Sequence, residues 1–276
     1  MIAAVLLESK SWAGVMVASL ALLGCGSDDP AGGGGNGGSG ATGGSGASGG
    51  TGGGASGGSG PTISYSGVMN QLGITGQTPL PGAKVCIEGH ADVCATTATD
   101  GAFTLAGVPA NAELAVRASL ESYHDSLTFL LTGDEDQSGL TAIMVSRATV
   151  GLLYPAAGFG SYDETKGSFG VSVLTPDAEA TSGFASLEGA SVTLVTGAGT
   201  GPVYASDSGI PDSALTATSK NGVGLFGAVT PGEVAVNAAK DATTCKLGPV
   251  GWPTASAHAR GLVEADVISF VTVLCE

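Results

Sequence analysis

The sequence predicts an all-β protein: two tandem antiparallel β-sandwiches, transthyretin-like or Ig-like in architecture, carried behind a Gly/Ser-rich tether. Three observations lead there. Gly, Ala, Ser, Thr and Val dominate while charged residues make up only 12% of the chain, so the long side chains that favour helices are scarce. Beyond residue 60, short apolar alternations of period two recur, each closed by Gly, Pro or Asp-Gly. The same order of turn and strand signals then comes a second time.

An apolar stretch at 12–23 opens the chain; it has the length of a signal peptide's apolar region and is short for a bilayer span. It ends in Leu20-Ala21-Leu22-Leu23-Gly24-Cys25. Leu22-Leu23-Gly24 before a cysteine resembles the lipobox of bacterial lipoproteins. That resemblance implies that 1–24 is a removed signal peptide and that Cys25 is lipidated. Gly26 stands where an aspartate would mark inner-membrane retention in that family, which implies an outer-membrane address in the cell envelope, on either its periplasmic or its surface face. Segment 25–61 then reads as the lipidated cysteine and a flexible tether, because a run of Gly, Ser, Ala and Thr cannot bury enough apolar surface to offset its ordering entropy. Its length of about 35 residues gives an r.m.s. reach of about 30–35 Å.

Order is expected from Pro61. After the turn Pro79-Leu80-Pro81-Gly82, the residues Ala83, Val85 and Ile87 share one strand face, with Lys84 and Cys86 on the other. Reflection about His90 pairs Ile87 with Val93 and Cys86 with Cys94, a hairpin turning at 88–92 that sets the two sulfurs side by side. Five cysteines is an odd number, and lipidation of Cys25 leaves four. Pairing Cys86 with Cys94 and Cys245 with Cys275 is the one connectivity that stays within each half, and an exported protein favours it. By loop entropy the two bridges contribute about 2–3 and about 3–4 kcal/mol.

Asp100-Gly101 makes the next turn, with Phe103 and Leu105 pointing inward, and further strands fall at 113–120, 126–131 and 140–145. Pro81-Gly82-Ala83-x-Val85 followed by Thr99-Asp100-Gly101-x-Phe103-x-Leu105-x-Gly107-Val108-Pro109 resembles the carboxypeptidase regulatory-like domain, a transthyretin-like β-sandwich, over 62–148. The resemblance implies an accessory, adhesive or spacer module. Residues 149–165 read as a connector, with 146–160 open between a strand and a short helix. A second, diverged copy covers 166–276: Glu188-Gly189-Ala190-Ser191-Val192 echoes the first turn and strand, and Asn221-Gly222-x-Gly224-x-Phe226 the second. It departs by an insertion at 196–218 and by Gly224 in the place of Phe103.

The net charge of −15, with nine basic residues and no basic patch, argues against nucleic acid or an anionic lipid surface as partner. Asp134, Asp136 and Ser138 stand on alternate positions before Gly139, like the opening half of a calcium loop, but Val145 occupies the place of the closing acid. The stretch is either an acidic turn between strands or a weak structural calcium site. His90, His124 and His258 have no second ligand at metal spacing, so they read as one turn and two surface histidines and no metal centre is expected. With the thiols paired and no serine in a nucleophile turn, neither a catalytic residue nor a cofactor is expected. Trp252, between Gly251 and Pro253, either closes the second core or offers a sugar a flat platform. The expected role is display without catalysis: an envelope lipoprotein, held to the membrane by its lipid, presenting loops to an envelope protein or a glycan. The alternative is a carbohydrate-binding or enzyme-accessory lipoprotein.

Overall fold

The computed structural model describes residues 60–73, 76–180 and 182–276; Cys25 and the tether lie outside them. The first copy runs β1 (Thr62–Gly73), β2 (Gly76–Pro79), β3 (Lys84–Ile87), β4 (His90–Thr96), β5 (Ala102–Pro109), β6 (Glu113–Ser119), β7 (Asp125–Leu131) and β8 (Gln137–Val145). A helix, α1 (Arg147–Ala156), follows. The second copy runs β9 (Gly167–Pro176), β10 (Phe184–Ser186), β11 (Ser191–Thr196), β12 (Thr200–Ala205), β13 (Pro211–Asp212), β14 (Val223–Val229), β15 (Gly232–Ala239), β16 (Cys245–Leu247), β17 (Ala259–Val263) and β18 (Val267–Cys275). The all-β class read from the alternating pattern is the class observed.

In the first half β1 carries β5 and then β2 along one edge and β8 along the other. This sheet packs on the strands β4-β3-β6-β7. Met69, Val85, Phe103, Leu105, Val116 and Met144 fill the space between, each from the apolar side of a period-two strand. The second half repeats the plan. Strand β9 pairs antiparallel with β14 and parallel with β18, as β1 does with β5 and β8, and β11–β15 repeats β3–β6.

One device occurs twice in the same atoms. Buried Thr97 donates its hydroxyl to the Leu80 carbonyl at 2.6 Å and accepts the Ala83 N–H at 2.9 Å. Buried Thr218 donates to the Leu187 carbonyl at 2.6 Å and accepts the Ala190 N–H at 2.8 Å. Between each Leu and Ala lies a glycine at φ +79, Gly82 and Gly189, a conformation that a side chain would strain. The threonine satisfies backbone groups that the tight turn leaves without ladder partners.

The insertion of the second copy forms β12 and β13, which extend the sheet beyond β14. It also explains Gly224. A Cβ there would meet Val192 at 3.3 Å and the Tyr204 ring at 3.5 Å, so Tyr204, from the insertion, occupies the space that Phe103 fills in the first copy. Its hydroxyl accepts the Val192 N–H at 3.0 Å.

Three local expectations are corrected and one open alternative is decided. The first hairpin turns at Glu88-Gly89, so Ile87 pairs with His90 instead of Val93, and 91–93 bulge before Cys94 returns to register with Cys86. The sandwiches are not wholly antiparallel, since β1–β8, β7–β18 and β9–β18 are parallel ladders. The connector holds a helix: Ser146 caps α1 by accepting the Thr149 N–H at 3.1 Å, and Pro155, which has no N–H to give the preceding turn, stands in its last turn. The two sandwiches also share a sheet. Residues 125–128 of β7 pair with 267–270 of β18, which joins the strands β4-β3-β6-β7 to β18-β9-β14-β12-β13 in one continuous ladder.

Both disulfides are present as expected. Cys86 and Cys94 stand opposite each other with Cα atoms 4.1 Å apart, and Cys245 and Cys275 likewise at 4.0 Å.

Thr97→Val and Thr218→Val each remove a hydroxyl while leaving a buried amide and carbonyl unpaired. Each is expected to lower stability by about 1–3 kcal/mol. Because the two staples lie in different halves, the double variant should lose close to the sum, read as urea unfolding midpoints.

Candidate functional site

The seam between the halves is where the chain gathers its polar side chains. The sequence contains three arginines, and all three are there. Arg117 of β6 ties Asp125 at 3.2 Å and Glu264, from the second half, at 2.6 Å, and it also contacts Glu88. Arg260 of β17 reaches back to Glu113 of the first half and to Glu233 at 3.3 Å. Arg147 of α1 holds Asp266 at 2.6 Å and Glu164 at 3.4 Å.

Asp266 is the centre of the buried part. It sits in the β17–β18 turn at φ +62, a left-handed conformation that Asp tolerates better than most residues. Its carboxylate accepts the Nδ1 proton of His124 at 2.8 Å and both terminal nitrogens of Arg147, at 3.2 and 2.6 Å. Partial burial pushes its pKa up, but the bonds from Arg147 and His124 outweigh that and hold it below the usual carboxylate range. His124, expected at the surface, is 2% exposed. Tyr162 lies against it with ring centroids 4.4 Å apart. The Tyr162 hydroxyl is buried without a hydrogen-bond partner among the described residues, and burial, with the Asp266 charge adding to it, pushes its pKa up.

Trp252, the candidate ligand platform, is part of the same seam. Its indole N–H donates to the carbonyls of Leu114 at 3.1 Å and Leu130 at 3.2 Å, both in the first half. Its ring meets Phe129 edge to face at 4.8 Å, and the Arg260 guanidinium lies 5.0 Å from its centroid. Phe129 belongs to β7 yet packs in the second core. Gly261 admits it, for a Cβ there would stand 2.5 Å from the Phe129 ring. The tryptophan that the sequence offers to a sugar is engaged in joining the halves.

The other candidates stay apart. Asp136 accepts the Ser64 N–H at 2.7 Å, so one of its oxygens is already engaged at the β7–β8 turn, while Asp134 and Ser138 are exposed nearby. Among the described residues no group of three or more His, Cys, Asp or Glu side chains is placed to hold a metal. No described helix is long and apolar enough to cross a membrane. The seam arginines were missed from sequence. A signal existed: three guanidiniums in so acidic a chain must each meet several carboxylates.

Comparison with known proteins gives only weak likenesses. No family model matches the chain, and no curated protein matches it. Among solved structures it is similar to the TIE protein of Bacillus anthracis, at 13% identity and a TM-score of 0.26, over 78% of this chain and 34% of that one. It thus spans about a third of that protein. It is also similar to the minor pilin GBS52 of Streptococcus agalactiae, at 11% identity and a TM-score of 0.25, over 78% and 95% of the two chains. The shaft pilin SpaA of Lactobacillus rhamnosus GG stands at 14% and 0.24, over 78% and 98%. Scores this low carry no argument.

The carboxyl of Asp266 has a folded pKa below its unfolded value, so its contribution to stability is complete above the unfolded range near ~4 and is lost as pH falls through the depressed value. Asp266→Asn is expected to cost about 1 kcal/mol or less at neutral pH, because the site is partly open to solvent. The gap between the two proteins should close on acidification, followed as urea midpoints from neutral to strongly acid pH.

Proposed function

We propose that this chain is a lipid-anchored envelope protein that displays a rigid double sandwich at the end of a flexible tether, with no catalytic step of its own. The observation that carries the reading is the fusion of two disulfide-stapled sandwiches through one continuous sheet, a body suited to holding loops at fixed spacing. The bridges support an oxidising compartment, and Leu22-Leu23-Gly24-Cys25 supports the anchor. The resemblance of the turn motifs to carboxypeptidase regulatory-like domains supports an accessory or adhesive module. The polar cluster of the seam supports a structural role, because its hydrogen bonds join the halves to each other.

Material from the native membrane should give an intact mass for a chain beginning at Cys25 with acyl groups added and the other four cysteines bridged in two pairs. Cys25→Ala should abolish the added acyl mass and the cleavage before residue 25, while Thr97→Val keeps both. A native chain that keeps residues 1–24, or one whose Cys25 carries no acyl group, overturns the anchor.

A further inference from the structure

The two copies cover their strand edges differently, and the difference leaves one strand bare. In the second copy β14 has β9 on one side and β12, built by the insertion, on the other. Its counterpart in the first copy, β5, pairs with β1 alone. Ala102 marks the backbone groups that β5 turns outward: its N–H donates to the Asp100 carboxylate at 3.0 Å, and its carbonyl accepts the Ala98 N–H at 2.9 Å. Thr104 and Ala106 follow at the strand's period of two and point the same way. Both are exposed, and their amides and carbonyls have no hydrogen-bond partner among the described residues. The equivalent residues of the second copy, Leu225 and Gly227, are matched by Val203 and Thr200 of β12.

Little protects this edge. The strands β1, β2, β5 and β8 carry no charged side chain, whereas edges are commonly guarded by charge. The irregularity at Gly107 lies past Ala106, and its counterpart in β14 does not keep Gly227 from pairing with Thr200. What stays open is one N–H and one carbonyl on each side of Leu105, an arrangement that reads the same in both directions. A second β5 laid antiparallel, with Thr104 opposite the partner's Ala106, closes all of these groups in both chains. Side chains select the same occupant. Tyr204 of β12 lies over Gly224, in the space that Phe103 fills in the first copy, so a strand added to β5 must bring no bulk opposite Phe103. In the two-fold register that place falls to the partner's Gly107, where a Cβ would meet nothing within 4 Å. Charge agrees: two chains of net charge −15 repel each other, and an uncharged edge is where they can approach.

We propose that a second copy of this chain docks on β5, antiparallel and about a two-fold axis at Leu105, so that the β1 sheets of the two copies become one. The interface is independent of the anchor proposed above. A ladder this short buries less than the roughly 800 Å² per partner of a standard interface, so the pair is weak and concentration-dependent. It is tested on the full chain by sedimentation equilibrium in a density-matched detergent, which reads protein mass alone. A monomer–dimer equilibrium is expected at about 0.1 mM, tightening at least about threefold between low and high salt as the like charges are screened. Thr104→Pro removes one outward N–H, a change that edge strands accept, and should weaken the dimer at least about tenfold. Thr104→Asp, on the exposed face, sets like charges near each other across the axis and should weaken it about threefold at low salt. A chain that stays monomeric at about 0.1 mM leaves the edge to an unlike strand and overturns the proposal. An association that both variants leave unchanged runs through another surface and overturns it equally. Should Thr104→Pro not fold, the Thr104→Asp result decides alone.

Discussion

The parallel ladder between β7 and β18 is the constraint on which the rest of the molecule depends. Parallel pairing cannot come from a hairpin, and here it joins residues about 140 positions apart. Phe129 shows what it brings. The strand belongs to the first half by connectivity, but its side chain is fully buried in the second core, and burying a phenylalanine contributes about 1.5–3 kcal/mol. Gly261 leaves the room, Trp252 closes the side, and the tryptophan's N–H returns to the carbonyls of β6 and β7. Sheet, core and indole thus act at one place, and the second core is incomplete without the first half.

The two copies do not meet through equivalent surfaces. Strand β8 ends the β1 sheet of the first copy, and β18 is its counterpart in the second; yet β18 pairs with β7, from the opposite sheet of the first copy. Head-to-tail joining of this kind leaves unlike edges free at the two ends, β4 on one side and β13 on the other. Strand β13 is two residues long and β4 is bulged and bridged to β3. Short, bulged or covalently held edges are poor templates for further pairing. The joint therefore closes after two units.

What the sequence made legible was local. Alternation placed β3, β6 and β7 within a residue and β8 within three, because inward residues such as Val85, Phe103 and Leu105 repeat with the pleat. The Cys86–Cys94 pairing followed from strand register, although the bulge after Glu88-Gly89 was hidden because turn length and register trade against each other. The threonine staple was available and passed over, since Leu-x-Gly-Ala and a threonine four residues before glycine occur at matching places in both copies. The seam was not legible. Nothing near Trp252 in sequence points to Leu114 or Leu130, and nothing near His124 points to Asp266; such partners are set by tertiary packing. Helix α1 was obscured for a different reason, as its outward positions carry the same apolar and small residues as its inward ones.

The placement of the arginines follows from this joint. The turns and strand ends that meet at the seam bring Glu88, Glu113, Asp125, Glu164, Glu233, Glu264 and Asp266 into one region, and unopposed they would push the halves apart. Lysine would supply charge but only as a point, whereas a guanidinium presents a planar fork that can hold carboxylates from two elements at fixed angles. Arg117 and Arg260 each join acids of both halves, and Arg147 joins the helix to the β17–β18 turn. These pairs are partly open to solvent, so each adds little stability taken alone. Their larger effect is on specificity: a slip of the β7–β18 ladder by one residue would carry Glu264 and Asp266 away from their forks while turning Phe129 out of its core, and the electrostatic and apolar penalties would then fall together on the wrong register.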